Sequence, residues 1–299
     1  VTPSPERCSA TSAALDEPLA GTASTVRSWL LLEHPGPWGR DAFVDGRHAT
    51  DGFGIELRER CRHANVRPLL IRRLGRGTPA RPTVFAIRSG PGEPFVERAA
   101  LGSLDDALAL DLHGLGRGER LGLEPHGDPL FLVCTHGRHD ACCAERGRPL
   151  ARALTDAFPE QTWECSHIGG DRFAPNLLLF PHGIYLGRVA PADAAAVAGA
   201  YLEGRLSLAH LRGRSSVAMP VQFAERALRG QLALDRIDDV SFERASRSGD
   251  RVVSTFATSA GRFVVAVTTE LGPPRRLTCH STAEEPVPIH RVASISRAG

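Results

Sequence analysis

The 299-residue chain contains no lysine, so all 36 of its Lys-or-Arg positions are arginine. Schiff-base lysine chemistry, a P-loop and a kinase-type phosphate lysine are therefore excluded. The abundance of Ala, Gly and Arg points to coding bias in a GC-rich genome as the origin of that absence. No apolar run approaches the ~18–20 residues of a membrane span. The opening VTPSPERCSATSAALDEP lacks a basic segment followed by an apolar one, so no secretory signal is read there. The expected compartment is the cytoplasm, where thiols stay reduced and clustered cysteines act as ligands or redox groups rather than bridges. An excess of one charge is missing too. The formal net charge is +2, which gives no electrostatic case for a nucleic-acid or membrane partner. The chain has no C-x2-C pair, and no paired carboxylates in a site-like context that would suit glycoside hydrolysis.

What the chain does have is a concentration of soft ligands. Four of the seven cysteines and four of the twelve histidines fall between Leu130 and Arg188, at the ends of apolar runs that read as strands. The element order places them. From Thr25, TVRSWLLLE reads as a strand, Gly54–Ala64 as a helix with Leu57, Cys61 and Ala64 on one face, and VRPLLIRRL as a strand. TVFAIRS and PFVERAAL follow as two more strands, and SLDDALALDL as a helix capped by Ser103. The second half repeats this order: strand LFLVCTHG, helix Arg148–Phe158, strand TWECSH, hairpin NLLLF/IYLGRV, and an alanine-rich helix ending at Gly204. A β-α-β then β-β-α order is that of the thioredoxin fold. The expectation is an α/β chain of two thioredoxin-like repeats, the first degenerate and the second cluster-binding, with a small C-terminal α+β extension. The expected divisions are an N-terminal arm at 1–24, the degenerate half at 25–125, the ligand-bearing half at 126–205 and the extension at 206–299. Cys8 reads as an incidental exposed thiol in the loose arm. Cys279 reads as a core residue within a strand, RRLTCHS, with His280 on the opposite face.

Within the second half, Cys134 ends a strand, Cys142 and Cys143 open a helix, and Cys165 and His167 share a face two residues apart. Thiolate and imidazole together suit zinc or an iron–sulfur centre, and the spacing alone leaves both open. Cys142 is the weakest candidate, since consecutive residues rarely both reach one centre. His136, His139 and His182 read as loop histidines. Arg138 and Arg172 flank the site, and Gly169–Gly170 would let the backbone pass close to a bound group.

The strings CTHGRHDACC and SHIGGDRFAPNLLLFPHGIYLGRV, with LLLEHPGPWGRDAF in the first half, resemble the sucrase/ferredoxin-like family of thioredoxin-like [2Fe-2S] ferredoxins, from about Glu17 to Gly204. In eukaryotic members of that family the ligand pattern is C-x8-C followed by H-x3-H. The resemblance implies a [2Fe-2S] cofactor with Cys134, Cys143 and His167 as ligands. Asp171 stands where the pattern has its second histidine, which leaves Cys165 and Asp171 as rivals for the fourth place. Gly169, Gly170 and Arg172 are the expected cofactor-flanking residues. The implied function is single-electron exchange with a protein redox partner, without bond-making catalysis. The alternatives are a thiol–disulfide redox enzyme on the same fold and a zinc-stabilised non-catalytic module.

Overall fold

A computed structural model describes residues 7–46, 50–75, 77–90 and 92–298. Residues 1–6 of the expected arm, Arg76 in the loop after the second strand and Pro91 in the SGPGE turn lie outside these. The chain begins with helix α1 (Cys8–Ala14) and continues through β1 (Ser28–Glu33), α2 (Phe53–His63), β2 (Val66–Arg72), β3 (Thr83–Arg88) and β4 (Phe95–Ala100). Next come α3 (Leu112–Arg117), β5 (Glu124–Pro125), β6 (Leu130–Cys134), α4 (Ala141–Ala157) and β7 (Thr162–Cys165). The hairpin β8 (Asn176–Phe180)/β9 (Ile184–Gly187), α5 (Ala194–Leu202) and β10 (Leu211–Arg214) follow. The extension is α6 (Met219–Leu232) with β11 (Val240–Ser248), β12 (Arg251–Thr258), β13 (Gly261–Arg275) and β14 (Glu285–Arg297).

Among the described residues the strands form a ten-stranded sheet, β10-β9-β8-β6-β7-β2-β1-β3-β4-β5, and a four-stranded meander, β11-β12-β13-β14. The large sheet contains the same motif twice. β1 is parallel to β2 and antiparallel to β3, which is antiparallel to β4; β6, β7, β8 and β9 stand in the same relations. The two motifs meet antiparallel at β2–β7 through Ile71↔Cys165 and Arg72↔Glu164. The sheet is curled. β1 and β8 are four strand steps apart, about 19 Å on a flat sheet, yet the Trp29 and Phe180 rings lie edge to face with centroids 5.3 Å apart. Alternation along each strand accounts for the layering. Leu30 and Leu32 of β1 face the α2 side, while Trp29 and Leu31 face an inner core shared with Leu132, Cys134, Cys165, Leu178 and Tyr185 of the second half. The other face of the second half is covered by α4 and α5 through Leu150, Leu154, Val197 and Tyr201. The extension's core is Val221, Ala224 and Leu228 of α6 against Phe256, Val265 and Val267.

Several elements differ from the expectations. The stretch after Ser103 forms a 3-10 segment, Leu104–Ala109, and then the separate α3, because the Asp111 side chain accepts from Gly114 N–H and starts a new helix. α4 begins seven residues earlier than Arg148. Asp140 caps it by accepting from Cys142 N–H at 2.8 Å, and Pro149 lies inside it rather than at its start. β10 joins the large sheet beside β9 rather than the extension. Cys279 and His280 sit in the loop between β13 and β14, not in a strand. Cys8 is 5% exposed on α1, and the arm is docked: Ser12 Oγ donates to Glu17, and Arg188 donates to Ser12. No described helix is long and apolar enough to cross a membrane.

The β8–β9 turn carries a half-buried imidazole. His182 Nδ1 lies 2.6 Å from the hydroxyl of buried Tyr201. Burial, reinforced by the nearby Arg214 cation, pushes His182 down to about 4, whereas an unfolded histidine titrates near ~6.5. Between those two values the unfolded chain binds a proton that the folded chain refuses, so acidification favours unfolding. The urea midpoint is expected to fall between pH 7 and pH 5. In His182→Gln that drop should narrow by an amount on the order of 1 kcal/mol, after allowing for the ring's partial exposure.

Candidate metal and redox site

The site forms where three element ends meet on the rim of the inner core. Cys134 is the last residue of β6, and Cys143 is the third residue of α4. His167 lies two residues past β7, and Asp171 opens a 3-10 turn, Asp171–Phe173. Because β6 and β7 are adjacent and parallel, both deliver their C-terminal ends to this rim, and α4 leaves from it. The positive end of the α4 dipole favours a negative charge there.

The donor atoms converge. The sulfurs of Cys134 and Cys143 and a ring nitrogen of His167 lie within 4.8 Å of one another, and His139, His167 and Asp171 form a second, overlapping group of the same span. The Cys143 thiol donates to Asp171 Oδ1 at 3.1 Å, and His167 Nδ1 stands 3.0 Å from the same oxygen as an ion pair. The rings of His139 and His167 stack at 3.7 Å, and His139 Nε2 is 3.8 Å from Asp171 Oδ2. The thiols and the carboxylate are buried, whereas the two imidazole side chains keep 27% and 34% of their surface and form the face toward solvent.

The charges within the site are coupled. A hydrogen bond from Cys143, aided by His167 and opposed by burial, holds the Cys134 thiol well below the usual range. The same contact and burial raise Cys143. Burial alone would lower His167, but the Asp171 carboxylate and the Cys134 sulfur lift it to about 9. Asp171 is lowered despite its burial, chiefly by His167. Two buried polar atoms of the site, His167 Nδ1 and Asp171 Oδ2, lack a well-formed hydrogen bond. A metal centre would satisfy those atoms, and the donor chemistry suits one.

Other candidate residues stand elsewhere. Cys165 is paired in register with Cys134 but is enclosed in the inner core, outside both groups, and burial raises its thiol. Gly169 and Gly170 have φ of +94° and +79°, and a Cβ on Gly170 would stand 2.2 Å from Arg212, so their freedom serves the turn and the approach of that arginine. Arg172 is held by Glu17 at 2.8 Å. His136 hydrogen-bonds Gly39 O of the first half at 3.0 Å and packs edge-on against Trp38. His139, read from sequence as a loop residue, belongs to the site because its ring stacks on His167, a contact with no local sequence signal.

What holds the His167–Asp171 loop was also invisible to residue spacing. Four successive carbonyls each receive a side-chain donor: His167 O from Arg67, Ile168 O from Tyr185, Gly169 O from Arg212 and Gly170 O from Asn176. Arg212, fully buried, also reaches Asn176 Oδ1 and Thr22 O at 2.8 and 2.6 Å. An arginine within an otherwise buried edge strand was the one available hint.

With this geometry in view, comparison with known proteins is informative. The sequence profile described as sucrase/ferredoxin-like matches residues 19–213, which include every residue of the site. The chain belongs to the sucrase/ferredoxin-like family. One curated relative, Altered inheritance of mitochondria protein 32 of Meyerozyma guilliermondii, is 32% identical over 76 residues, 22% of this chain. The chain spans only about a quarter (27%) of that protein's length. Two solved structures, cysteine-to-serine variants of the thioredoxin-like [2Fe-2S] ferredoxin from Aquifex aeolicus, are 19% and 17% identical. Each match covers 28% of this chain and 97% of the ferredoxin, with a TM-score of 0.25. Family membership and the convergent cysteines together give the site a redox or metal-binding role.

The loop geometry yields a stability test. Arg212→Met keeps the bulk of the side chain but leaves Gly169 O and Thr22 O without their buried donor. It is expected to cost about 3 kcal/mol in chemical denaturation.

Proposed function

We propose that this protein is an electron carrier that holds a [2Fe-2S] cluster at Cys134, Cys143 and His167, with Asp171 or His139 completing the set. The observation that carries the reading is the convergence of two thiols, an imidazole and a carboxylate at one rim, in a chain of the sucrase/ferredoxin-like family. When bound, such a cluster supplies reversible one-electron chemistry. The protein's own residues do the rest. Cys134 and Cys143 offer sulfur from the buried wall, while His167 and His139 present their ring edges to solvent, where a partner would dock. The pinned loop keeps the imidazole and the carboxylate in place. Exposed Arg138, next to His139, favours an acidic protein redox partner. The cytoplasm is the proposed compartment.

The matching strand order of the two motifs supports reading 25–125 and 126–205 as copies of one thioredoxin-like unit, with the first lacking ligands. A second reading, a single zinc ion, is favoured by the 4.8 Å span of the donors. A thiol–disulfide enzyme is disfavoured, because both sulfurs are about 1% exposed and out of reach of a protein disulfide.

Protein purified anaerobically should be brown, with about two irons and two sulfides per chain, and its visible absorbance should fade on dithionite. Cys143→Ser should abolish the colour, and Cys165→Ser should leave the spectrum unchanged. Between Asp171→Ala and His139→Ala, the variant whose paramagnetic resonance spectrum shifts identifies the fourth ligand. A colourless chain without iron after reconstitution would sink the carrier reading, and zinc that Cys143→Ser removes from it would leave the zinc one.

A further inference from the structure

A second group of thiols lies behind the first turn of α4, facing away from the site just described. Cys142 Sγ stands 3.6 Å from Cys8 Sγ of α1 and 3.3 Å from Cys279 Sγ of the β13–β14 loop, and Cys279 and Cys8 are 3.5 Å apart. Asp140 completes the group, with Oδ2 3.9 Å from Cys8 Sγ. All four donor atoms lie within 4.8 Å of one another. Cys8, Cys142 and Asp140 are buried and Cys279 is half-buried. The three cysteines are free thiols.

The spacing discriminates between chemistries. A disulfide needs its sulfurs about 2.05 Å apart, closer than any pair of these three stands. Thiolates on one tetrahedral zinc, at Zn–S of about 2.3 Å, stand about 3.8 Å from each other. The observed 3.3–3.6 Å triangle is a slightly contracted version of that arrangement. The carboxylate is already oriented. Asp140 Oδ1 accepts from Cys142 N–H at 2.8 Å and Oδ2 from Cys279 N–H at 2.6 Å, so the carboxyl group is fixed toward the three sulfurs. Three sulfurs and one oxygen make a closed set with no position left for substrate, the pattern of a structural site.

We propose that Cys8, Cys142, Cys279 and Asp140 bind one structural zinc ion, separate from the Cys134/Cys143/His167 centre. Binding displaces the thiol protons to solvent and joins segments 134, 137 and 271 residues apart in sequence: α1, the start of α4 and the β13–β14 loop of the extension. The zinc would thereby anchor the helix turn that presents Cys143 to the first site. It would also give the extension a defined place in the fold. The Arg7–Glu145 ion pair already joins the same two helices at the surface.

The test uses the full chain purified without chelator. Cys143→Ser protein, in which the first site is disabled, should still contain about one zinc per chain by elemental analysis. Adding Cys8→Ser or Cys279→Ser to it should remove at least nine-tenths of that zinc. Zinc that persists in both of these variants, or is absent from their Cys143→Ser parent, overturns the proposal. Wild-type protein provides a second measurement if the variants fold poorly. Cys8, Cys142 and Cys279 should resist iodoacetamide until a zinc chelator is added, with no reductant required. Immediate labelling, or protection released only by a reductant, overturns it and in the latter case assigns a disulfide.

Discussion

Among the described residues the two motifs of the large sheet meet strand to strand at two residue pairs, in β2–β7, and the arrangement of the site depends on that join. It places Ile71 beside Cys165 and Arg72 beside Glu164, whose carboxylate is nearly buried and bound by the guanidinium at 2.8 Å. A buried carboxylate left without its cation is costly, so the register of the seam is strongly determined. The same Arg72 lies over the Trp38 ring at 4.2 Å, and Trp38 packs against His136. One arginine therefore connects the seam, the first half's GPWG loop and the histidines beside the candidate site. The described residues of the first half form no donor group of their own, but they supply one wall.

Curling follows from the same join. With both motifs in one sheet, the inner residues of β1 and β8 can be desolvated only if the sheet turns back on itself, and the Trp29–Phe180 contact marks that closure. Cys134 and Cys143 stand at the end of this shared core, which explains why they are almost fully buried while their histidine neighbours are not. The site is thus polarised, with sulfur against hydrocarbon and imidazole against water. Thiolates in such a position gain from metal ligation what they lose in hydration.

Local periodicity was enough to read most of the elements. Strands β1, β2, β3, β4, β6, β8 and β9 and helices α2 and α5 stand close to where alternation and apolar faces put them. Reading failed where the deciding contact lies far along the chain. Pro149 looks like a helix start because proline favours that position, yet Asp140 supplies a cap that extends α4 backward by more than a turn. Cys8 reads as an incidental thiol and Cys279 as a core strand residue because their partners are more than 130 residues away. Arg67, Tyr185 and Arg212 pin the loop through its carbonyl oxygens, which carry no residue identity for a pattern to register.

In the adjacent pair Cys142–Cys143, successive helix residues point about 100° apart, so the two thiols do not both serve one compact centre. That divergence does not make Cys142 idle. At a helix start backed by the core on one side and by α1 and the extension on the other, the same angular divergence sends Cys143 into one group of donors and Cys142 into another. Their backbone N–H groups share one cap, since Asp140 accepts from Cys142 through its side chain and from Cys143 through its carbonyl. A shift of this turn therefore moves both sulfurs at once. The two donor groups are chemically separate but mechanically one unit, and a change in the position of α1 or of the β13–β14 loop acts on Cys143 through that shared turn.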